Sequence, residues 1–131
     1  MLTGLSHIGV AVDNIDDFVT QLAESFGVPV PEIANHPERR IKVAVMTIGG
    51  VTFEILEESN SEGMLARYVA QYGPGLHHIG FTSSQLDTDM EVMKERKITF
   101  LSQTPATGLR GKRIAFAAEN NRSGIQFELS E

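Results

Sequence analysis

The 131 residues carry 41% hydrophobic and 21% charged side chains, an ordinary balance for a globular domain able to bury a core. A net charge of −6 argues against general nucleic-acid binding, and no apolar run reaches the roughly 18–20 residues of a membrane helix. The chain has no cysteine, which excludes disulfides, thiolate metal ligands and cysteine nucleophiles.

The start, Met1-Leu2-Thr3-Gly4-Leu5, lacks the basic-then-apolar pattern of a signal peptide, so a cytoplasmic setting is expected. His7 to Val12 alternates as a strand, with Ile8, Val10 and Val12 on one face and His7, Gly9 and Ala11 on the other. Asp13-Asn14 then suits a helix start, with Asp16 and Asp17 in the first turn. Ile15, Phe18, Val19, Leu22 and Phe26 follow at helical spacing, and Gly27 ends the segment. Pro29, Pro31 and Pro37 predict a loop. Ile41 to Ile48 reads as a strand, Gly49-Gly50 as a hairpin turn and Val51 to Leu56 as the returning strand.

Ser61 to Tyr72 is expected to be a connecting helix, and Gly73-Pro74-Gly75 the junction that follows it. The second half repeats the order of the first. A strand is expected at His78 to Thr82, a helix at Leu86 to Arg96 and a strand at Ile98 to Leu101. After a Gly108 to Gly111 loop come strands at Arg113 to Ala118 and Ile125 to Leu129. The expected fold is therefore α+β in one domain, 1–131, built of two tandem β-α-β-β-β modules. Module 1 covers about 1–58, the linker helix about 61–75 and module 2 about 76–131.

The repeat extends to particular residues. Leu5-Ser6-His7-Ile8-Gly9 returns as Leu76-His77-His78-Ile79-Gly80, and Gly50-Val51-Thr52-Phe53-Glu54-Ile55 returns as Gly124-Ile125-Gln126-Phe127-Glu128-Leu129. The offsets are 71 residues from His7 to His78 and 74 from Glu54 to Glu128. Each copy thus opens on a strand with a histidine and closes on a strand with a glutamate. Alternation turns all four away from the apolar face of their strand, among small neighbours. A lone strand histidine is usually structural and a lone strand glutamate usually solvated. Four matched in type, face and repeat position make His7, Glu54, His78 and Glu128 a ligand set for one divalent metal. His77 falls on the opposite face and is expected to be a structural or surface residue, and His36 has no partner at repeat spacing.

Six of the eleven Lys and Arg lie in two short groups: Arg39, Arg40 and Lys42, and Arg110, Lys112 and Arg113. Such groups are commonly solvated loop and strand ends. The sharper reading is a ligand bearing phosphate or carboxylate.

These landmarks resemble the vicinal oxygen chelate superfamily, which includes glyoxalase I and the extradiol dioxygenases. Within it the chain is most similar to the methylmalonyl-CoA epimerases. The motifs are His36-Pro37-Glu38, Phe53-Glu54-Ile55-Leu56-Glu57, Gly75-Leu76-His77-His78-Ile79, Thr104-Pro105 and Gly111-Lys112-Arg113-Ile114-Ala115-Phe116. The resemblance implies curved mixed sheets enclosing a metal-binding cleft, with His7, Glu54, His78 and Glu128 as ligands. It gives Glu38 as a catalytic carboxylate working opposite Glu128, and sets Lys112 and Arg113 beside a CoA thioester. The implied activity is that of an isomerase, removing a proton next to a thioester carbonyl with a metal-stabilised enolate. The implied cofactor is one divalent ion, with Co, Ni, Zn, Mn and Fe all suited to such ligands. The implied assembly is a homodimer acting on a small-molecule acyl-CoA, away from nucleic acid and membrane. A glyoxalase I-like lactoylglutathione lyase uses the same metal logic, and a non-catalytic small-molecule binding protein of the resistance type is the alternative from another class.

Overall fold

The structure is a computed structural model describing residues 1–121 and 123–131. Its chain divides into two compact units, residues 8–77 and residues 1–7 with 78–131. The division falls within two strands, β1 (Leu2–Val12) and β5 (Gly75–Ser83).

In the unit of residues 8–77, the end of β1 leads into helix α1 (Ile15–Phe26). Asn14 caps it by accepting from Asp17 N at 3.1 Å, and Gly27 closes it at φ +64°, the left-handed value that glycine takes without steric cost. Three strands follow: β2 (Ile33–His36), β3 (Ile41–Ile48) and β4 (Val51–Glu58). β2 and β4 flank β3 in antiparallel pairs, while β1 lies parallel to β4 with Ile8 opposite Phe53 and Val12 opposite Glu57. The inner faces supply Val10, Val12, Ala44, Met46 and Ile55, which pack on Ile15, Val19 and Ala23 of α1. Burying each large aliphatic of this set contributes about 1.5–3 kcal/mol.

Helix α2 (Met64–Tyr72) starts after Gly63, which offers no capping side chain. The cap comes from the sheet. Glu58 Oε2 accepts from Leu65 N at 2.9 Å and Ala66 N at 3.2 Å, and a Cβ on Gly63 would strike that carboxylate. Its neighbour Glu57 does the same for α1, accepting from Ile15 N at 2.9 Å. Two consecutive carboxylates, pointing to opposite faces of β4, thus hold the starts of two helices. Glu58→Ala should lower stability by about 1–2 kcal/mol, the range of a lost helix cap, read as a lower urea midpoint. An unchanged midpoint would show that α2 does not need this cap.

In the other unit, β5 is followed by α3 (Leu86–Glu95), β6 (Ala106–Thr107), β7 (Arg113–Phe116) and β8 (Phe127–Ser130). β8 lies parallel to β5 and antiparallel to β7, and β6 borders β7. Leu86 and Met90 of α3 pack on Phe100, Ala115, Ala117, Phe127 and Leu129. Both units are α+β with mixed sheets, and each follows the β-α-β-β-β order read from the sequence.

Three local expectations need correction. The proline-flanked stretch contains β2, which pairs only with β3 at the border of its unit, where prolines beside a strand leave no ladder bond unmade. Ile98 to Leu101 is not a strand but a single bridge from Phe100 to Ala117, because Lys97 turns the chain at φ +71° directly before it. Ile125 is 52% exposed and precedes β8, since Gly124 at φ +71° is still turning.

Candidate metal centre

β1 ends its stay in the second unit on His7, β5 enters that unit on His78, and β8 carries Glu128 as its second residue. Glycine makes the convergence possible. Gly80 is buried, and a Cβ there would run into the His7 ring. His7, His78 and Glu128 are 1%, 4% and 8% exposed, and their candidate donor atoms all lie within 4.8 Å of one another. His7 Nε2 stands 3.1 Å from His78 Nε2 and 3.9 Å from Glu128 Oε1. The two rings meet edge to face, 86° apart, and Phe116 packs against His78 at a 4.8 Å centroid distance.

This donor set fits a divalent cation. The 3.1 Å between the two Nε2 atoms matches the chord spanned by two His–metal bonds of about 2.0–2.1 Å at an angle near 100°. Ser6 Oγ lies 3.1 Å from His7 Nδ1. With the proton on Nδ1 donated to that oxygen, the Nε2 lone pair is left facing His78 and Glu128, the usual outer-shell arrangement of a metal-binding histidine.

Burial, with help from the Arg110 charge, lowers the His7 pKa from 6.5 to about 4. His7 is therefore neutral at pH 7. In protein stripped of metal by chelator, this has a signed consequence. Above pH 6.5 His7 is neutral in both folded and unfolded chains. Between pH 6.5 and 4 the unfolded chain takes up a proton that folded His7 refuses, so stability falls with pH, by up to about 3 kcal/mol from this group. Below pH 4 this contribution is flat. Urea titrations of wild type and His7→Gln across this window are the check, and His7→Gln should lose that part of the slope. Equal slopes would place the acid sensitivity elsewhere.

The remaining expected site residues lie as follows. Glu54 is buried on β4 in the other unit, opposite Gly9 and Val45. Glu38 is in that unit too, on the β2–β3 turn, with its side chain 66% exposed and its Oε1 3.7 Å from His36 Nδ1. Lys112 is exposed at the Gly108–Lys112 turn, which closes with Gly108 N donating to Lys112 O at 2.8 Å. Arg113 is engaged. Its guanidinium donates to both Asp87 carboxylate oxygens, at 2.9 and 3.1 Å, and to Glu131 Oε1 at 2.9 Å. His77, expected to be structural or at the surface, is buried with Tyr68 packed edge-on at 5.0 Å. Sequence reading missed Ser6, Phe116 and Arg110 as neighbours of the histidines. Ser6 left its trace as the residue beside His7 in the repeat, Arg110 as a member of a basic group and Phe116 as the end of the Gly111–Phe116 motif.

A small α+β protein with a buried two-histidine, one-carboxylate centre on strands is the class that this fold and site define. The family described as the glyoxalase/bleomycin resistance protein/dioxygenase superfamily matches residues 6–116, and the chain belongs to it. Among curated relatives, the uncharacterized protein YqjC of Bacillus subtilis is 28% identical over 97% of this chain and 91% of its own. The mitochondrial methylmalonyl-CoA epimerase of Bos taurus is 25% identical over 97% of this chain and 73% of its own. Among solved structures, Streptomyces coelicolor methylmalonyl-CoA epimerase in complex with 2-nitronate-propionyl-CoA superposes with a TM-score of 0.88. It is 26% identical and covers 99% of this chain and 97% of that one. No helix among the described residues is long and apolar enough to cross a membrane.

Proposed function

We propose that the protein is a metal-dependent isomerase of acyl-CoA thioesters, moving a proton at the carbon next to the thioester carbonyl in the manner of a methylmalonyl-CoA epimerase. The observation that carries this reading is the buried cluster of His7, His78 and Glu128, in which a carboxylate stands beside two imidazole nitrogens with water largely excluded. The epimerases among its relatives support the substrate class. His7, His78 and Glu128 would hold the metal. Glu54 is proposed as the fourth ligand from its place in the sequence repeat. A divalent ion held there would supply Lewis acidity toward the substrate's carbonyl oxygen.

The chain's own residues then have separate tasks. Ser6 fixes the His7 tautomer, and Phe116 and Gly80 fix the two rings. Glu128 takes the proton from one face of the α-carbon onto a carboxylate oxygen, in a site dry enough for a carboxylate to act as base. Glu38 returns a proton to the opposite face, and in the reverse direction the two exchange roles. Lys112, exposed and on a turn, is the better candidate for a CoA phosphate than Arg113, which would first have to leave Asp87 and Glu131. Glu38, exposed on the β2–β3 turn, is proposed as the acid and base on the face opposite Glu128, and its support is the resemblance.

The test is exchange of the α-proton of methylmalonyl-CoA in D2O by metal-reconstituted protein, followed by NMR. Wild type should exchange it, and Glu128→Gln should slow exchange by about 10²–10⁴-fold. Glu38→Gln should likewise keep fold and metal yet slow turnover by about 10²–10⁴-fold, and near-normal turnover would remove Glu38 from the mechanism. Turnover of a glutathione hemithioacetal, with no exchange on any CoA ester, would instead establish the lyase reading.

A further inference from the structure

The unit of residues 8–77 holds a second constellation that the metal centre does not use. Asn35 lies opposite Lys42, and Lys42 opposite Glu57, so the three form one lateral row across β2, β3 and β4. Alternation fixes the face. Lys42 shares its side of β3 with Ala44 and Met46, and Glu57 shares its side of β4 with Ile55, all in the core beneath α1. Glu54 and Leu56 point the other way. At the rim of that core the row opens into a pocket of about 240 Å3, lined by Asn35, Pro37, Arg40, Lys42, Glu57 and Ser59.

Two features mark the pocket as a place for an anion. Lys42 is half-buried, yet no hydrogen bond or ion pair to its ammonium is found among the described residues, and the nearby Glu57 has one carboxylate oxygen engaged by Ile15 N. The Lys42 ammonium is therefore available to an anionic ligand in the pocket. The second feature is Arg40, which holds φ +57° at the end of the β2–β3 turn. Glycine is the residue that takes this conformation without strain. The chain keeps an arginine there and clamps it. Arg40 O accepts from Ser59 N at 2.9 Å and from Ser59 Oγ at 3.3 Å, while an Arg40 Nη donates to Ser59 O at 3.3 Å. Tolerated strain at a residue whose side chain lines a pocket is a mark of function.

We infer that this pocket binds the phosphate of a phosphorylated small molecule. Arg40 offers the guanidinium N–H groups that Ser59 O does not take, Lys42 a point charge and Asn35 a neutral donor, a combination suited to phosphate oxygens. The phosphate can come from the nucleotide end of a CoA ester or from a separate phosphorylated ligand. The site itself does not rest on the metal centre or on the isomerase reading.

Calorimetric titration of the whole protein with inorganic pyrophosphate at low salt should give one saturable site, weakened roughly tenfold or more by Lys42→Met and weakened again by added salt. Arg40→Gly is the sharper variant. It should weaken pyrophosphate binding to a similar degree while Tm holds or rises, because glycine relieves the positive φ. Lack of saturable binding in wild type, or unaltered binding in both variants, overturns the site. A KM for CoA ester that rises in both variants at constant kcat assigns the phosphate to CoA. A KM that stays put while pyrophosphate binding is lost assigns it to a separate ligand, and the site stands in either case. Failure of His7, His78 and Glu128 to hold metal would leave pyrophosphate binding unchanged, so the two readings fail independently.

Discussion

His78→Ala should leave the protein folded but unable to hold a divalent ion. Removing an outer-shell partner of a metal ligand already costs about 10–100-fold in affinity, so removing a ligand itself should exceed the upper end of that range. The geometry leaves no substitute within the cluster. With His78 gone, only His7 Nε2 and Glu128 Oε1, 3.9 Å apart, remain of the cluster, and the proposed Glu54 would have to make up the loss. Isothermal titration with Zn and Co, with elemental analysis after dialysis, reads the effect. Stoichiometric metal surviving dialysis in the variant would remove His78 from the centre. The packing consequence is separable, because circular dichroism and the urea midpoint of chelator-treated protein report the lost contact with Phe116 without reference to metal.

Gly80→Ala is expected to be as damaging, although it removes no ligand. The added Cβ would collide with the His7 ring, and His7 is 1% exposed, with no open space into which to swing. Overpacking of this kind costs about 1–3 kcal/mol where the surroundings give way. The shift of the ring should also break the 3.1 Å approach of the two Nε2 atoms. The expected result is a lower urea midpoint together with a loss of metal affinity near that of His78→Ala. Gly4→Ala is the control, since a Cβ there meets nothing within 4 Å. Wild-type metal affinity in Gly80→Ala would show that the His7 ring has freedom the structure does not grant it.

The two substitutions separate what is local from what is not. Asn14 as cap, Gly27 as terminator, β3 and the Gly49-Gly50 hairpin were all legible in the sequence. Each depends on backbone preference and on periodicities of 2 or 3.6 within about a dozen residues. The internal repeat added the pairing of His7 with His78, because two copies of a strand-borne pattern keep the same face.

What the tertiary structure decided depends on long-range pairing. The repeat assigns His7 to module 1, yet His7 lies in the compact unit of His78 and Glu128, 71 residues away from His78 in sequence. Glu57 and Glu58 read as the polar end of a strand, and only the packing of α1 and α2 makes them helix caps. Arg113 looked free for a ligand until folding brought Asp87 and Glu131 to it. The row of Asn35, Lys42 and Glu57 exists only once the register of β2, β3 and β4 is set. Sequence patterns record which way a side chain points from its own strand. Which side chains it then meets is settled by strand register and helix packing, which no local preference encodes.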